Sequence, residues 1–141
     1  MIDGGDQPPA KAPTLLAVNT ARWPMVELIY SGTPSDTELA SHLGEIEEKV
    51  LGRQEPFVHI IDQRQASMPD AIQRALIADH QRRMEDAYRE YCRGEVYIVS
   101  RETRQAMTAV FWLAPPPYPY AFVESTTEAR AWAKQHLAPA S

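Results

Sequence analysis

One cysteine in 141 residues, Cys92, leaves no partner for an internal disulfide, and a reducing compartment is the setting such a chain suits. Glycine is scarce as well. Its six residues are scattered, and none falls in the GxGxxG or P-loop spacing that lets backbone N–H groups cradle a phosphate. Positive charge is the minority sign, 14 Lys and Arg against 19 Asp and Glu, for a net charge of −5. Phosphate tracking needs clustered Lys and Arg, so no nucleic-acid partner is expected. Neither HxxxH nor CxxC occurs, so neither a metal site nor a cofactor is expected. No apolar run approaches the ~20 residues of a membrane span, and "MIDGGDQPPAKAP" lacks the apolar centre of a secretory signal. The expectation is a cytoplasmic protein with no membrane span.

Hydrophobic residues make up 44% of the chain and charged residues 23%, the balance of a folded domain, and the length suits one domain. Residues 1–13, rich in Gly, Pro and Asp, read as a disordered leader, and 14–138 as the domain. "LLAVN" and "MVELIY" flank "TARWP" and are spaced to pair as an antiparallel hairpin. Ser35 and Glu38 have capping-box spacing; Leu39, Leu43, Ile46 and Val50 then recur at helical intervals, with Gly52 placed to end the helix. "FVHIID" is nearly all apolar, as a strand covered on both faces must be.

One long helix is expected over "SMPDAIQRALIADHQRRMEDAYREYCRG". Pro69 would sit in its first turn, Gly94 at its end, and Ile72, Leu76, His80, Met84, Ala87 and Tyr91 along its buried stripe. "EVYIVS" is the next strand, and Ser100 caps a helix over 101–113 that the prolines stop. "YAFVE" is the last strand. Ser125 and Glu128 repeat the capping-box spacing before a helix that turns Ala129, Trp132, Ala133 and Leu137 inward. The fold class is α/β: an initial hairpin, then alternating helices and strands, giving a mainly parallel five-stranded sheet packed by about four helices.

Catalytic signals are few, and no catalytic residue is assigned. His59 lies in the central strand and His80 in the helix stripe. With Asp62, Asp79 or Cys92 they offer an acid–base pair, but buried histidines are mostly satisfied structurally. His42 and Glu38 share what reads as a solvated helix face. Cys92 lies beside Arg93 at a helix C-terminus, the end that disfavours a thiolate. Arg74, Arg82, Arg83, Arg89 and Arg93 interleave with Glu85, Asp86 and Glu90 as a mixed, solvated face. Pro115–Pro117 and Pro119 read as a stiff connector between a helix and a strand, with docking in another protein's groove as the competing reading.

The order of elements, with "LIYSGTPSDTELASHLGEIEEKV", "FVHIIDQRQASMPDAI" and "FVESTTEARAWAKQHL", resembles the STAS fold of the bacterial anti-sigma-factor antagonists. It is most similar to the STAS-like branch outside sporulation, which is related in fold to CRAL-TRIO lipid carriers. In the antagonists an Asp in the loop before the long helix is followed by a phosphorylatable Ser or Thr. Counted from Asp62, the match falls on Asp70, and Ala71 stands where the hydroxyl would be. The resemblance therefore implies a domain that lacks the usual phosphoacceptor. Ser67 is the nearest hydroxyl, read first as an N-cap and second as a phosphosite. What the resemblance implies is a non-catalytic interaction domain in bacterial cytoplasmic regulation. It would meet a regulatory protein through Ser67, Met68, Pro69, Asp70, Ala71 and Gln73, with a homodimer left open. The alternative is a carrier of a small apolar ligand or lipid, with Tyr88, Tyr91, Met107, Phe111, Trp112 and Tyr118 lining the pocket.

Overall fold

A computed structural model describes residues 13–139, so nearly all of the leader expected over 1–13 lies outside the described residues. Strands β1 (Leu15–Arg22) and β2 (Met25–Gly32) form the expected hairpin, with Leu16 opposite Tyr30 and Val18 opposite Leu28. Helix α1 (Asp36–Lys49), strand β3 (Phe57–Ala66), helices α2 (Ala71–Arg83) and α3 (Glu85–Tyr91), strand β4 (Cys92–Ile98), helix α4 (Arg101–Leu113), strand β5 (Tyr120–Val123) and helix α5 (Thr126–Leu137) follow. The sheet order is β1-β2-β3-β4-β5, antiparallel at the first pair and parallel thereafter.

Because each parallel strand joins next to its predecessor, every right-handed crossover steps the same way and leaves its helix on the same side. One core therefore lies beneath α1–α4, with Leu28, Phe57, Ile61 and Tyr97 projecting from the sheet to meet Leu39, Leu43, Ile46 and Tyr88. On the opposite face, among the described residues, α5 alone supplies the helical cover, setting Ala129 and Ala133 against Val58, Ile60, Val96 and Ile98. Arg130 ties this helix to β2 through a 2.8 Å ion pair with Glu27. β3 over 57–61 and β4 over 94–98 are covered on both sides, so their residues are buried without alternation.

Local signals were realised where their partners are local. Ser35 accepts from the Glu38 N–H, and Glu38 returns to the Ser35 N–H at 2.9 Å. At α5 only half of the second box forms. The Ser125 hydroxyl accepts from the Glu128 N–H and donates to the Glu128 carboxylate, which leaves the Ser125 N–H out of the exchange.

Four expectations need correction. The long helix is two helices, broken at Met84, where φ −104 and ψ 12 leave the helical region and the acidic pair Glu85 and Asp86 opens a new first turn. Ile72 does not belong to the buried stripe; it is 62% exposed, and Gln73 takes the inward position one residue along. Gly52 does not end α1, which stops at Lys49 and passes into a short 3-10 turn closed by Gln54 in the left-handed region. Gly94 does not end a helix either. It lies inside β4 at φ +155, beneath the ring of Trp132.

Candidate functional site

The chemistry-bearing residues gather under α1–α3 on one face of the sheet. β3 and β4 are in register so that His59 is the partner of Glu95, and both side chains turn into the core, 1% and 5% exposed. His59 Nδ1 lies 2.9 Å from Glu95 Oε2, while the hydroxyls of Tyr97 and Tyr118 donate to Glu95 Oε1 at 2.6 and 2.8 Å. Burial by itself would raise the Glu95 carboxyl. The hydrogen bonds and charge of His59, with the two hydroxyls, outweigh it and hold the pKa below the ordinary glutamate value. Burial, reinforced by the nearby Glu95 charge, pushes the hydroxyls of Tyr97 and Tyr118 upward.

A second relay runs beside it. Glu47 Oε2 meets His80 Nδ1 at 2.7 Å, and His80 Nε2 meets the Tyr88 hydroxyl at 2.7 Å. The break at Met84 falls between His80 and Tyr88. In a straight helix, residues eight apart stand about 12 Å from one another along the axis. Burial lowers the His80 pKa despite the opposing bond to Glu47.

His42 is a further correction. It belongs to no solvated face; it is 3% exposed, one position before Leu43 in the apolar stripe, with Nε2 2.9 Å from the Tyr30 hydroxyl. Burial, only partly offset by Glu45, pushes its pKa down to about 4. Between an unfolded value near 6.5 and that folded value, the unfolded chain takes up a proton that the folded chain refuses. The stabilising contribution is whole above about pH 6.5 and drains away as pH falls toward 4. Urea unfolding is expected to show about 2 kcal/mol less stability at pH 5 than at pH 7 from this group. His42→Gln should flatten that slope, leaving the part owed to His80.

Tyr30, His59, His80, Tyr88, Glu95 and Tyr97 border a pocket of about 150 Å³. Leu28, Ile61 and Ile77 are among its apolar lining residues, and His59, Tyr88, Glu95, Gly32, Ser67 and Gln73 also line it. A larger groove of about 450 Å³ runs outside it, between Tyr88, Phe111, Tyr118 and the prolines 115–117. No group of three or more His, Cys, Asp or Glu among the described residues is arranged to hold a metal ion.

The backbone that carries this arrangement matches a solved structure. An uncharacterized protein of the DUF3478 family from Shewanella loihica PV-4, described as having a SpoIIAA-like fold, superposes with a TM-score of 0.66. The match covers 84% of this chain and 92% of that one, at 13% sequence identity. The fold is SpoIIAA-like. No protein-family model and no curated protein matches the chain.

In the SpoIIAA-like frame the turn from β3 into α2 holds the residues expected to meet a partner. Asp70, not Ser67, caps α2, accepting from the Gln73 N–H at 2.9 Å. Ser67 instead donates from both its hydroxyl and its N–H to the Gly32 carbonyl. Pro69 precedes the helix rather than entering it, and its carbonyl accepts from Arg74. Met68 is 66% exposed, and Ala71 opens the helix in solvent. Gln73 faces inward, 6% exposed, and donates from Nε2 to the Pro34 carbonyl at 2.7 Å, so it holds the turn from beneath instead of presenting a contact.

The six aromatic and Met positions expected to line one pocket separate. Tyr88, Phe111 and Tyr118 border the outer groove, while Tyr91 and Met107 pack half-buried against the core. Trp112 is 80% exposed, because Met107 and Phe111, four apart, already occupy the face of α4 that meets Tyr97 and Phe122. The prolines do connect α4 to β5, and they deliver two groups to β4: the Tyr118 hydroxyl to Glu95 and the Pro119 carbonyl to the Glu95 N–H. Neither Asp62 nor Asp79 partners a histidine; they pair with Arg64 and with Arg82 and Arg83. Glu95 is the residue sequence reasoning passed over. A lone carboxylate inside an apolar parallel strand is itself a signal, since a buried charge needs partners.

Proposed function

We propose that this chain is a non-catalytic STAS-like interaction domain in bacterial cytoplasmic regulation, meeting a regulatory protein through the turn at 67–72. The observation that carries the reading is the mounting of that turn. Met68 and Ile72 stand 66% and 62% exposed on a segment pinned by Ser67 to Gly32, by the Asp70 cap and by Gln73 to Pro34. Exposed apolar side chains on a rigid polar frame suit a protein contact. Ala71 offers no hydroxyl for modification, so contact at this turn would be set by something other than phosphate on that residue.

The non-catalytic part is supported by the burial of the thiol and hydroxyl groups nearest the pocket. Burial, with the Glu95 charge, pushes the Cys92 thiol well above its usual range, and the hydroxyls of Tyr88, Tyr97 and Tyr118 are raised in the same way. Native mass spectrometry of the protein purified gently from its own cells tests the reading. A bound protein is expected, and Met68→Asp with Ile72→Asp should reduce its occupancy about tenfold or more while leaving the melting temperature within about 2 °C, since both side chains are solvent-facing. Retention of the same protein by the double variant, or no bound protein at all, would count against it. The outer groove between Tyr88, Phe111 and Tyr118 favours a second reading, carriage of a small apolar ligand, and a bound small-molecule mass in the same spectrum would support that instead.

A further inference from the structure

Strand β1 is an edge of the sheet, and among the described residues no strand pairs with its outer side. In an antiparallel edge strand every second residue turns its N–H and C=O away from the sheet, and such a row templates pairing with another strand. The usual protections are missing here. Residues 14–20 include no charged residue and no proline, and the register on β2 is regular from Leu15 to Asn19. The opposite edge is blunter, since β5 has only four residues. The open stretch of β1 also has definite ends. Pro13 has no N–H to give. Beyond Asn19 the register shifts, the Ala21 N–H donates to Asn19 Oδ1 at 2.9 Å, and the Thr20 carbonyl accepts from the Trp23 N–H at 3.1 Å. The free segment is therefore Leu15–Asn19, with Ala17 at its middle.

We propose that β1 pairs antiparallel with β1 of a second copy of this chain, about a two-fold axis at Ala17, joining the two sheets into one. The strand's own sequence argues for a copy of itself as the occupant. Around Ala17, "TLLAVNT" is close to a palindrome in character: Thr14 falls opposite Thr20, Leu15 opposite Asn19, Leu16 opposite Val18, and Ala17 opposite itself. Threonine pairs and aliphatic pairs stabilise neighbouring strands, and no charge meets its like. The faces agree as well. Leu16 and Val18 are half-buried on the side that α1 covers, so their pairing continues that core across the axis. Leu15, 48% exposed, lies on the other face, where the cluster under α5 includes no residue of β1.

The helix above the strand leaves room for the second copy. Thr37, Ser41 and Gly44 of α1 are exposed and border a surface groove together with Leu16. A Cβ at Gly44 would meet nothing within 4 Å. Antiparallel edge pairing requires an axis perpendicular to the sheet, which keeps both α1 helices on one side and runs them antiparallel. The basic last turn of each, at Lys49, then points toward the acidic first turn of the other, Asp36 and Glu38. A strand pairing of this length is a small contact even with the helices added, so a dimer with Kd on the order of 10 μM is expected. The proposal does not draw on the turn at 67–72, and a second copy differs in mass from a regulatory protein.

Sedimentation velocity of the full chain over a concentration series tests it. The wild type should pass from monomer to dimer. Leu15→Lys with Asn19→Lys sets like charges opposite each other at both ends of the pairing and should weaken the dimer about tenfold or more. Leu15→Glu with Asn19→Lys sets opposite charges there instead and should bring the dimer back to within about threefold of wild type. Both side chains are exposed, so the two variants should melt within about 2 °C of each other. On the wild type, amide exchange over Leu15–Asn19 should slow as concentration rises. A wild type that stays monomeric to about 300 μM would overturn the proposal. A dimer that the lysine pair leaves intact would place the interface elsewhere and overturn it. Loss of the dimer in both variants would do the same, because this register predicts the rescue. Dimerisation with unchanged exchange over Leu15–Asn19 would overturn the edge pairing without recourse to any variant.

Discussion

Glu95→Leu is expected to lower the unfolding free energy by about 4 kcal/mol, because it strands three buried donors at once. His59 Nδ1–H, Tyr97 O–H and Tyr118 O–H all end on this carboxylate, and none has water to turn to, with Tyr97 at 7% and Tyr118 at 9% exposure. Glu95→Gln keeps one acceptor oxygen at nearly the same shape and should cost about half as much. Adding Tyr97→Phe and Tyr118→Phe to the leucine variant removes two of the stranded hydroxyls and should recover about 2 kcal/mol, a non-additivity that marks the residues as one unit. Urea unfolding of the series reads all of this. A leucine variant within about 1 kcal/mol of wild type would mean that the network contributes little to holding the core together.

Gly94→Ala is expected to cost about 3 kcal/mol or more, for two reasons that act together. At φ +155 the backbone is in a region that residues with a side chain rarely adopt, and an added Cβ would lie 2.5 Å from Trp132 Cη2 and 3.0 Å from the Pro119 carbonyl oxygen. Neither neighbour yields readily. The indole is stacked on His136 with ring centroids 3.7 Å apart, and the Pro119 carbonyl is bonded to the Glu95 N–H. Repeating the substitution in a Trp132→Leu background separates the causes: the clash with the ring should disappear and the backbone strain remain, so the alanine should cost less there. Equal loss in both backgrounds would assign the whole effect to the backbone and the Pro119 carbonyl.

What the sequence disclosed depended on how far apart the interacting groups lie. The hairpin, the Ser35–Glu38 cap and the stripe of α1 were legible because each is decided within a few residues. The break at Met84 was not, since "HQRRMEDAY" contains neither glycine nor proline and the bend matters only through the meeting of His80 with Tyr88. Ser67 and Asp70 are both good capping residues, and the choice fell to Asp70 because Ser67 is engaged by Gly32, 35 residues away. The same distance problem hid the site. His59 was visible as a lone titratable group in an apolar strand, but its partner follows from the parallel register of β3 on β4, which no local pattern specifies. Trp112 illustrates the opposite error: aromatic residues close in sequence were grouped into one pocket although the helix turns them to different sides.

The monotonic strand order has a consequence for a chain made from its N-terminus. Each strand can dock beside the one already made, so the sheet and the helices of its first face can assemble in step with synthesis. The other face must wait. Among the described residues, Val58, Ile60, Val96 and Ile98 gain their helical cover from residues 126–137, made after all five strands. Until residues 126–137 have been made, the nascent chain carries a bare aliphatic sheet surface. A stop codon before residue 126 would make that transient hazard permanent.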